Sequence, residues 1–158
     1  MRNLSREPLT NEEIDFVKLE IRRIGADESV FIFNDEAHMD RSTCYNCVQD
    51  KIYVTRNVFP DNDHGSTHPR DVMSVAAVLA HEYYGHRVFR NEYLADLGKE
   101  DADRTTPQWA DECRASITAA KTLQTFPNKN VQTLSMMQKR EQEKAEIFWK
   151  QIKKQIVL

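Results

Sequence analysis

Val75-Ala76-Ala77-Val78-Leu79-Ala80-His81-Glu82-Tyr83-Tyr84-Gly85-His86 is the stretch around which the rest of the chain is read. An unbroken apolar run leads into two histidines that flank a glutamate, which reads as a central, buried helix carrying polar groups. Each buried imidazole needs a hydrogen-bonding partner, and the carboxylate must be paired or neutralised. A metal ion meets these needs together. In the zinc-peptidase pattern H-E-x-x-H the histidines stand four apart, about 40° from superposition on a helix of 3.6 residues per turn. Here they stand five apart. Five residues rotate by roughly 500° and leave the imidazoles about 140° apart on a regular helix. Either the pair holds no common ion or the helix is locally widened. One wide turn with i→i+5 bonding, a π-bulge, returns both side chains to one face, and such bulges occur mostly at functional sites. Gly85 is the residue most tolerant of that distortion.

Pro69 stands just before the apolar run, where its missing N–H costs nothing, so the helix is expected to start there and to continue to about Asn91. A loop from Gly98 to Thr106 follows, then a helix with Thr106 as N-cap and Pro107 at the first position, ended by Pro127. That second helix supplies the third ligand that a catalytic zinc site needs. In Asp111-Glu112-Cys113-Arg114-Ala115-Ser116, Glu112 lies 26 residues after His86, enough chain for a turn and a returning helix. Glu92, six residues after His86, is the fallback, reaching the metal only if the helix stops at once.

HEYYGH followed by DECRAS resembles the paired motifs HExxGH and EECRAE/D of the dipeptidyl-peptidase III family of zinc peptidases. The resemblance covers about a dozen positions and is specific for the site. It implies zinc held by His81, His86 and Glu112, with Glu82 as general base: zinc-dependent hydrolysis of peptide bonds, one ion per chain. It also implies a minimal zincin-like fold of the gluzincin type within an α+β class, with a small N-terminal sheet packed on the site helix. A glutamate-bearing helix and a long C-terminal helix complete it. Two departures stand out. The chain is far shorter than those two-lobed exopeptidases, so their dipeptide release is not implied. Ser116 replaces the final acidic residue, leaving Asp111, Asp96 or a backbone carbonyl to orient a histidine. His38, Tyr84 and Arg114 are candidate donors to the tetrahedral intermediate.

Upstream, Thr10-Asn11-Glu12-Glu13 has the spacing of a capping box, and Ile14, Val17, Ile21 and Ile24 form a helical stripe ended by Gly25. Val30 to Phe33 and Lys51 to Thr55 read as strands, two or three strands being confined to the first 60 residues. In a zincin, the strand Ile52 to Thr55 is where an extended peptide pairs along a sheet edge. Cys44 and Cys47, with His64 and His68 after a gap of 16 residues, resemble a zinc finger, but the gap is long and the expected role is shaping a turn. Cys113 reads as packing. Tyr83 and Tyr84 line either a cleft or the core. Downstream, Ala145, Phe148, Ile152 and Ile156 form the docking stripe of a last helix, and the charged run Gln138 to Lys144 reads as its solvated face.

Composition narrows the partners. The chain has 158 residues, with 22 Lys+Arg against 25 Asp+Glu, so no basic surplus is present for nucleic-acid phosphates. Length and the absence of repeats predict a single domain over residues 1–158. No apolar run reaches membrane-spanning length, and MRNLSREPLTNEE lacks the pattern of a secretory signal, which predicts a cytoplasmic protein with no membrane partner. The expected partner is a peptide or protein substrate. The competing class is a non-catalytic zincin-like module that binds peptide or protein and uses zinc for stability.

Overall fold

The computed structural model describes residues 7–59, 73–126 and 131–156, the last segment with side chains over 135–150. His64, His68, Pro69 and Pro127 lie outside the described residues, as do the side chains of Ile152 and Ile156. The architecture is α+β.

Helix α1 spans Asn11–Arg23. The capping box forms at its start: Thr10 Oγ1 accepts from the Glu13 amide and Glu13 Oε1 accepts from the Thr10 amide. Its end is a Schellman turn, with Gly25 N–H bonded to Arg22 O and Ala26 N–H to Ile21 O. Gly25 takes the left-handed conformation that this turn requires, at φ 72°. Val17, Ile21 and Ile24 are fully buried, so the predicted stripe is the face that meets the core. Arg56 clamps this helix start to the sheet with two 2.8 Å bonds to the Glu13 carboxylate.

Strands β1 (Phe31–Phe33), β2 (Cys44–Asn46) and β3 (Lys51–Val54) form one sheet in the order β1-β3-β2. β3 pairs parallel with β1 and antiparallel with β2. The expected peptide-pairing strand, Ile52 to Thr55, is therefore central and has both edges occupied; the edge on the site side is β2. The expected turn at Cys44 to Cys47 is divided. Cys44 belongs to β2, and Cys47 enters the turn, where Asn46 Oδ1 accepts from the amides of Val48 and Gln49.

Helix α2 (Val75–Ala80) has every residue buried and packs against α1. Ser74 is its N-cap, Oγ accepting from the Ala77 amide, so the described helix starts six residues' length downstream of the expected proline, at a hydroxyl cap. The chain continues without a break through a π turn (His81–His86) and a 3-10 turn (Arg87–Phe89) into α3 (Arg90–Ala95). Helix α4 (Gln108–Gln124) is capped by Pro107, one residue later than expected, because Thr106 Oγ1 donates instead to Glu92 Oε1. Helix α5 (Val131–Ile156) packs along α4. Cys113 is buried in that contact with Sγ 3.8 Å from Ala145 O, the packing role expected of it. No helix among the described residues is long and apolar enough to cross a membrane.

One face of α5 departs from the sequence reading. Within the run Gln138 to Lys144, Glu141 and Lys144 are almost fully buried, on the same stripe as buried Met137, and are not part of a solvated face. Residues 137, 141 and 144 recur at helical spacing, so the inward stripe is continuous but partly charged.

Candidate metal centre

The π turn covers His81 to His86, the segment between the two histidines. Widening replaces the expected divergence of the imidazoles by approach: their ring centroids lie 4.6 Å apart, at 87° to one another. His81, Glu82 and His86 are all buried, and each offers a ligand atom within 4.8 Å of the others.

Gly85 has a different purpose from the one its flexibility suggested. Helix α4 passes so close that a Cβ built on Gly85 would lie 2.5 Å from Ala115 O and 2.9 Å from Ala115 C. Those atoms are backbone and cannot swing aside. The missing side chain thus lets the glutamate-bearing helix lie against the histidine-bearing turn. Gly85→Ala is expected to lower stability by about 3 kcal/mol, a fall in melting temperature of about 6–12 °C. The control is Gly98→Ala, where φ is +80° but nothing lies within 4 Å, with a cost of about 1 kcal/mol. Equal melting shifts for the two variants would refute the close-packing account.

That approach delivers Glu112. Its Oε2 lies 3.0 Å from His81 Nε2, and its carboxylate lies 3.3 Å from His86 Nε2. The other ring nitrogens are occupied. His81 Nδ1 lies 3.0 Å from Ser116 Oγ. His86 Nδ1 lies 2.9 Å from Tyr93 Oη and 3.3 Å from Asp111 Oδ2. Without an ion the Nε2 atoms can bond the Glu112 carboxylate only by donating to it; with Ser116 Oγ and Tyr93 Oη accepting from the two Nδ1–H groups, both Nε2 lone pairs would be left for a metal beside that carboxylate. Ser116, the departure from the family motif, thus fills the orienting place with a hydroxyl, and Asp111 serves His86 together with Tyr93. Asp96 is elsewhere, accepting from Thr105 and Lys99.

The electrostatics follow from crowding. Burial drives His81 well below the ordinary imidazole pKa, and the nearby positive charge of Lys144 adds to that. Burial also disfavours the charged form of His86, but the facing Glu82 and Glu112 outweigh it and raise its pKa to about 10. Burial opposes ionisation of Glu112 as well, yet the His86 and His81 contacts hold its carboxyl well below the usual range. Without an ion, the charge of Glu112 is shared between two imidazoles.

The donor set fits zinc. Ligands about 2.0–2.1 Å from a tetrahedral ion lie about 3.3 Å from one another, close to the separations found between the Glu112 carboxylate and the two Nε2 atoms. Two neutral imidazoles and one carboxylate are a recurrent catalytic zinc set with a fourth position left over. Glu82, the other carboxylate in the cluster, lies beside these atoms and lines the same cleft.

The remaining candidates are engaged away from this point. Glu92 pairs with Arg114 at 2.7 Å and accepts from Thr106. Arg114 also holds Asp111 at 2.8 Å and lies over the Phe89 ring. His38 stacks on Tyr53 and contacts Asp35. Tyr84 donates to Ile24 O, while Tyr83 stacks on Phe31 and accepts from the Asp27 amide; both pack against the core. Two residues of the site were not foreseen. Tyr93 lies one helical turn and a 3-10 kink beyond His86, and Lys144 comes from the last helix; neither carries a motif that marks it. A cleft of about 610 Å³ opens over the cluster, bounded by Thr43, Cys44 and Tyr45 on one side and by Glu82, His86, Glu112 and Lys144 on another. Comparison of the chain with protein-family models, curated proteins and solved structures gives no match.

Proposed function

We propose that this chain is a small zinc-dependent hydrolase of peptide bonds, of zincin-like character, with His81, His86 and Glu112 as ligands and Glu82 as general base. One observation carries the reading: two imidazoles spaced one residue too far apart for a regular helix are brought by a π turn onto a carboxylate from a later helix, at the edge of an open cleft.

A bound zinc ion supplies Lewis acidity toward a carbonyl oxygen and lowers the pKa of a water molecule in the site. The chain's own groups do the rest. Ser116 and the Tyr93–Asp111 pair hold the rings in the tautomer that presents Nε2. Arg114 fixes Asp111 and thereby the orientation of His86. Glu82, buried beside the ligands, takes the proton of the attacking water and returns it to the departing nitrogen. The edge strand β2 runs beside the cleft, where an extended peptide has backbone groups to pair with.

The test is to isolate the protein without added metal, measure zinc by elemental analysis, and incubate it with a mixed peptide pool read by mass spectrometry. About one zinc per chain is expected, with new peptide termini that disappear on chelation and return with zinc. Zinc without cleavage of any peptide favours the binding-module reading; no zinc removes both.

A further inference from the structure

Arg104 lines the cleft, is exposed, and its guanidinium forms no hydrogen bond or ion pair among the described residues. The other cation of the cleft, Lys144, is buried and already engaged. The carboxylates that share the lining are committed elsewhere: Glu92 to Arg114 and Thr106, Asp96 to Thr105 and Lys99, Asp111 to Arg114 and Tyr93, Glu112 to the two histidines. An exposed arginine on a loose loop would be ordinary solvated surface, but this loop is fastened on both sides of the residue. Thr105 donates its amide and its hydroxyl to the buried Asp96 carboxylate, at 3.0 and 3.1 Å. The Arg104 amide bonds to Asp101 O at 3.3 Å, and Asp101 Oδ1 accepts from the Gln108 amide at 2.9 Å. Gln108 also lines the cleft and is exposed, and its carboxamide has no partner among the described residues. A fastened backbone thus presents a planar fork of donors and a carboxamide to the cleft.

We propose that Arg104 selects the substrate: its guanidinium takes a carboxylate of the peptide, so the chain acts on peptides that carry one within about three residues of the bond that is cut. The proposal rests on the hydrolytic reading above. The cleft, of about 610 Å³, has the size of a small-ligand site. An extended peptide advances about 3.3 Å per residue, so Arg104 and the histidine–glutamate cluster meet the same short segment of substrate. Among the groups of a peptide a carboxylate suits this donor best, because it accepts two parallel N–H bonds from the fork and carries the opposite charge. The rest of the lining is mostly acidic and disfavours a carboxylate away from Arg104, which confines recognition to one place. A peptide offers this chemistry from two sources, an Asp or Glu side chain and the C-terminal α-carboxylate.

The experiment uses the zinc-loaded full chain and two matched pairs of peptide libraries. The first pair is C-terminally amidated and carries either Glu or Gln at the varied positions; the second lacks Asp and Glu and ends in either a free or an amidated C-terminus. Relative kcat/KM is read by mass spectrometry for the parent, Arg104→Gln, Arg104→Lys and Arg104→Glu, with zinc content and far-UV circular dichroism as controls. The parent is expected to prefer the carboxylate member of one pair about tenfold, and the pair that responds names the source. In Arg104→Gln the ratio should fall below about twofold. Arg104→Lys should keep part of it, since the charge remains and the fork is lost. Arg104→Glu should turn the preference against the carboxylate, an inversion that mere loss of structure does not produce. No preference in the parent overturns the proposal and leaves the hydrolytic reading standing. A preference that persists in Arg104→Gln, or an equal fall for both members of a pair, also overturns it. If the parent cleaves no peptide, the hydrolytic reading ends, and binding of the same libraries, read by affinity selection on the zinc-loaded protein, is judged by the same ratios: an Arg104-dependent preference upholds carboxylate recognition, and its absence overturns it.

Discussion

Glu112→Ala is expected to empty the site of zinc, while Glu92→Ala leaves it near one ion per chain. The sequence ranks Glu112 first and leaves Glu92 as the fallback, and both glutamates line the cleft. Geometry separates them. Glu112 lies within 3.0 and 3.3 Å of the two Nε2 atoms, whereas Glu92 is engaged by Arg114 and Thr106. A zinc site of about 12 kcal/mol shared among three ligands loses about 4 kcal/mol with one of them, roughly a 10³-fold weakening. That takes a nanomolar site into the micromolar range, where it does not survive gel filtration. Elemental analysis after desalting and competition with a chromogenic chelator both measure it. Removing Glu112 also leaves His86 with less opposing charge, so the metal-free variant is not a neutral deletion. Circular dichroism must therefore accompany the metal assay. Zinc retained in Glu112→Ala and lost in Glu92→Ala would reverse the ligand assignment.

The π turn was legible before any coordinates because it follows from arithmetic. A five-residue separation cannot place two side chains on one face of a 3.6-residue helix, so a shared ion demands one extra residue in the turn. The helix start at Thr10 was equally legible, because a capping box is a local motif whose groups find each other within one turn. What escaped the sequence depends on distant neighbours. Gly85 suggests backbone freedom, but its purpose is room for Ala115, thirty residues away. Ser116 looks like a lost carboxylate until the His81 ring is seen 3.0 Å from its hydroxyl. β2 is three residues long, too short to show alternation, and exists because β3 offers it a partner. The buried Glu141 and Lys144 were read as solvent-facing because a periodicity argument counts apolar residues and treats charge as an outside mark. That rule fails for Lys144, which is buried and still lines the polar cleft although it comes from the helix with the least specific sequence.

Glu82→Gln separates chemistry from metal binding. The amide keeps nearly the size and shape of the carboxylate, so the packing of this buried side chain changes little. Zinc content is expected to stay near one per chain, because the Glu112 carboxylate lies within 3.0 and 3.3 Å of the two Nε2 atoms and supplies the third ligand of the proposed set. What the amide cannot do is accept a proton from water, and loss of a positioned general base lowers kcat by about 10³- to 10⁴-fold. KM should move by less than about threefold, since Glu82 acts on the water and not on the peptide. The same substitution removes a negative charge beside His86, one of the causes that hold its pKa near 10. In the metal-free state that change favours neutral His86, so zinc uptake by Glu82→Gln should be no weaker than in the parent. A variant that loses zinc together with activity would make Glu82 a ligand, and the cluster His81, Glu82, His86 would then be the metal site in place of the set completed by Glu112. Full activity with zinc retained would assign the base to another group. Only a loss of kcat at constant zinc content and constant KM places the proton transfer on Glu82.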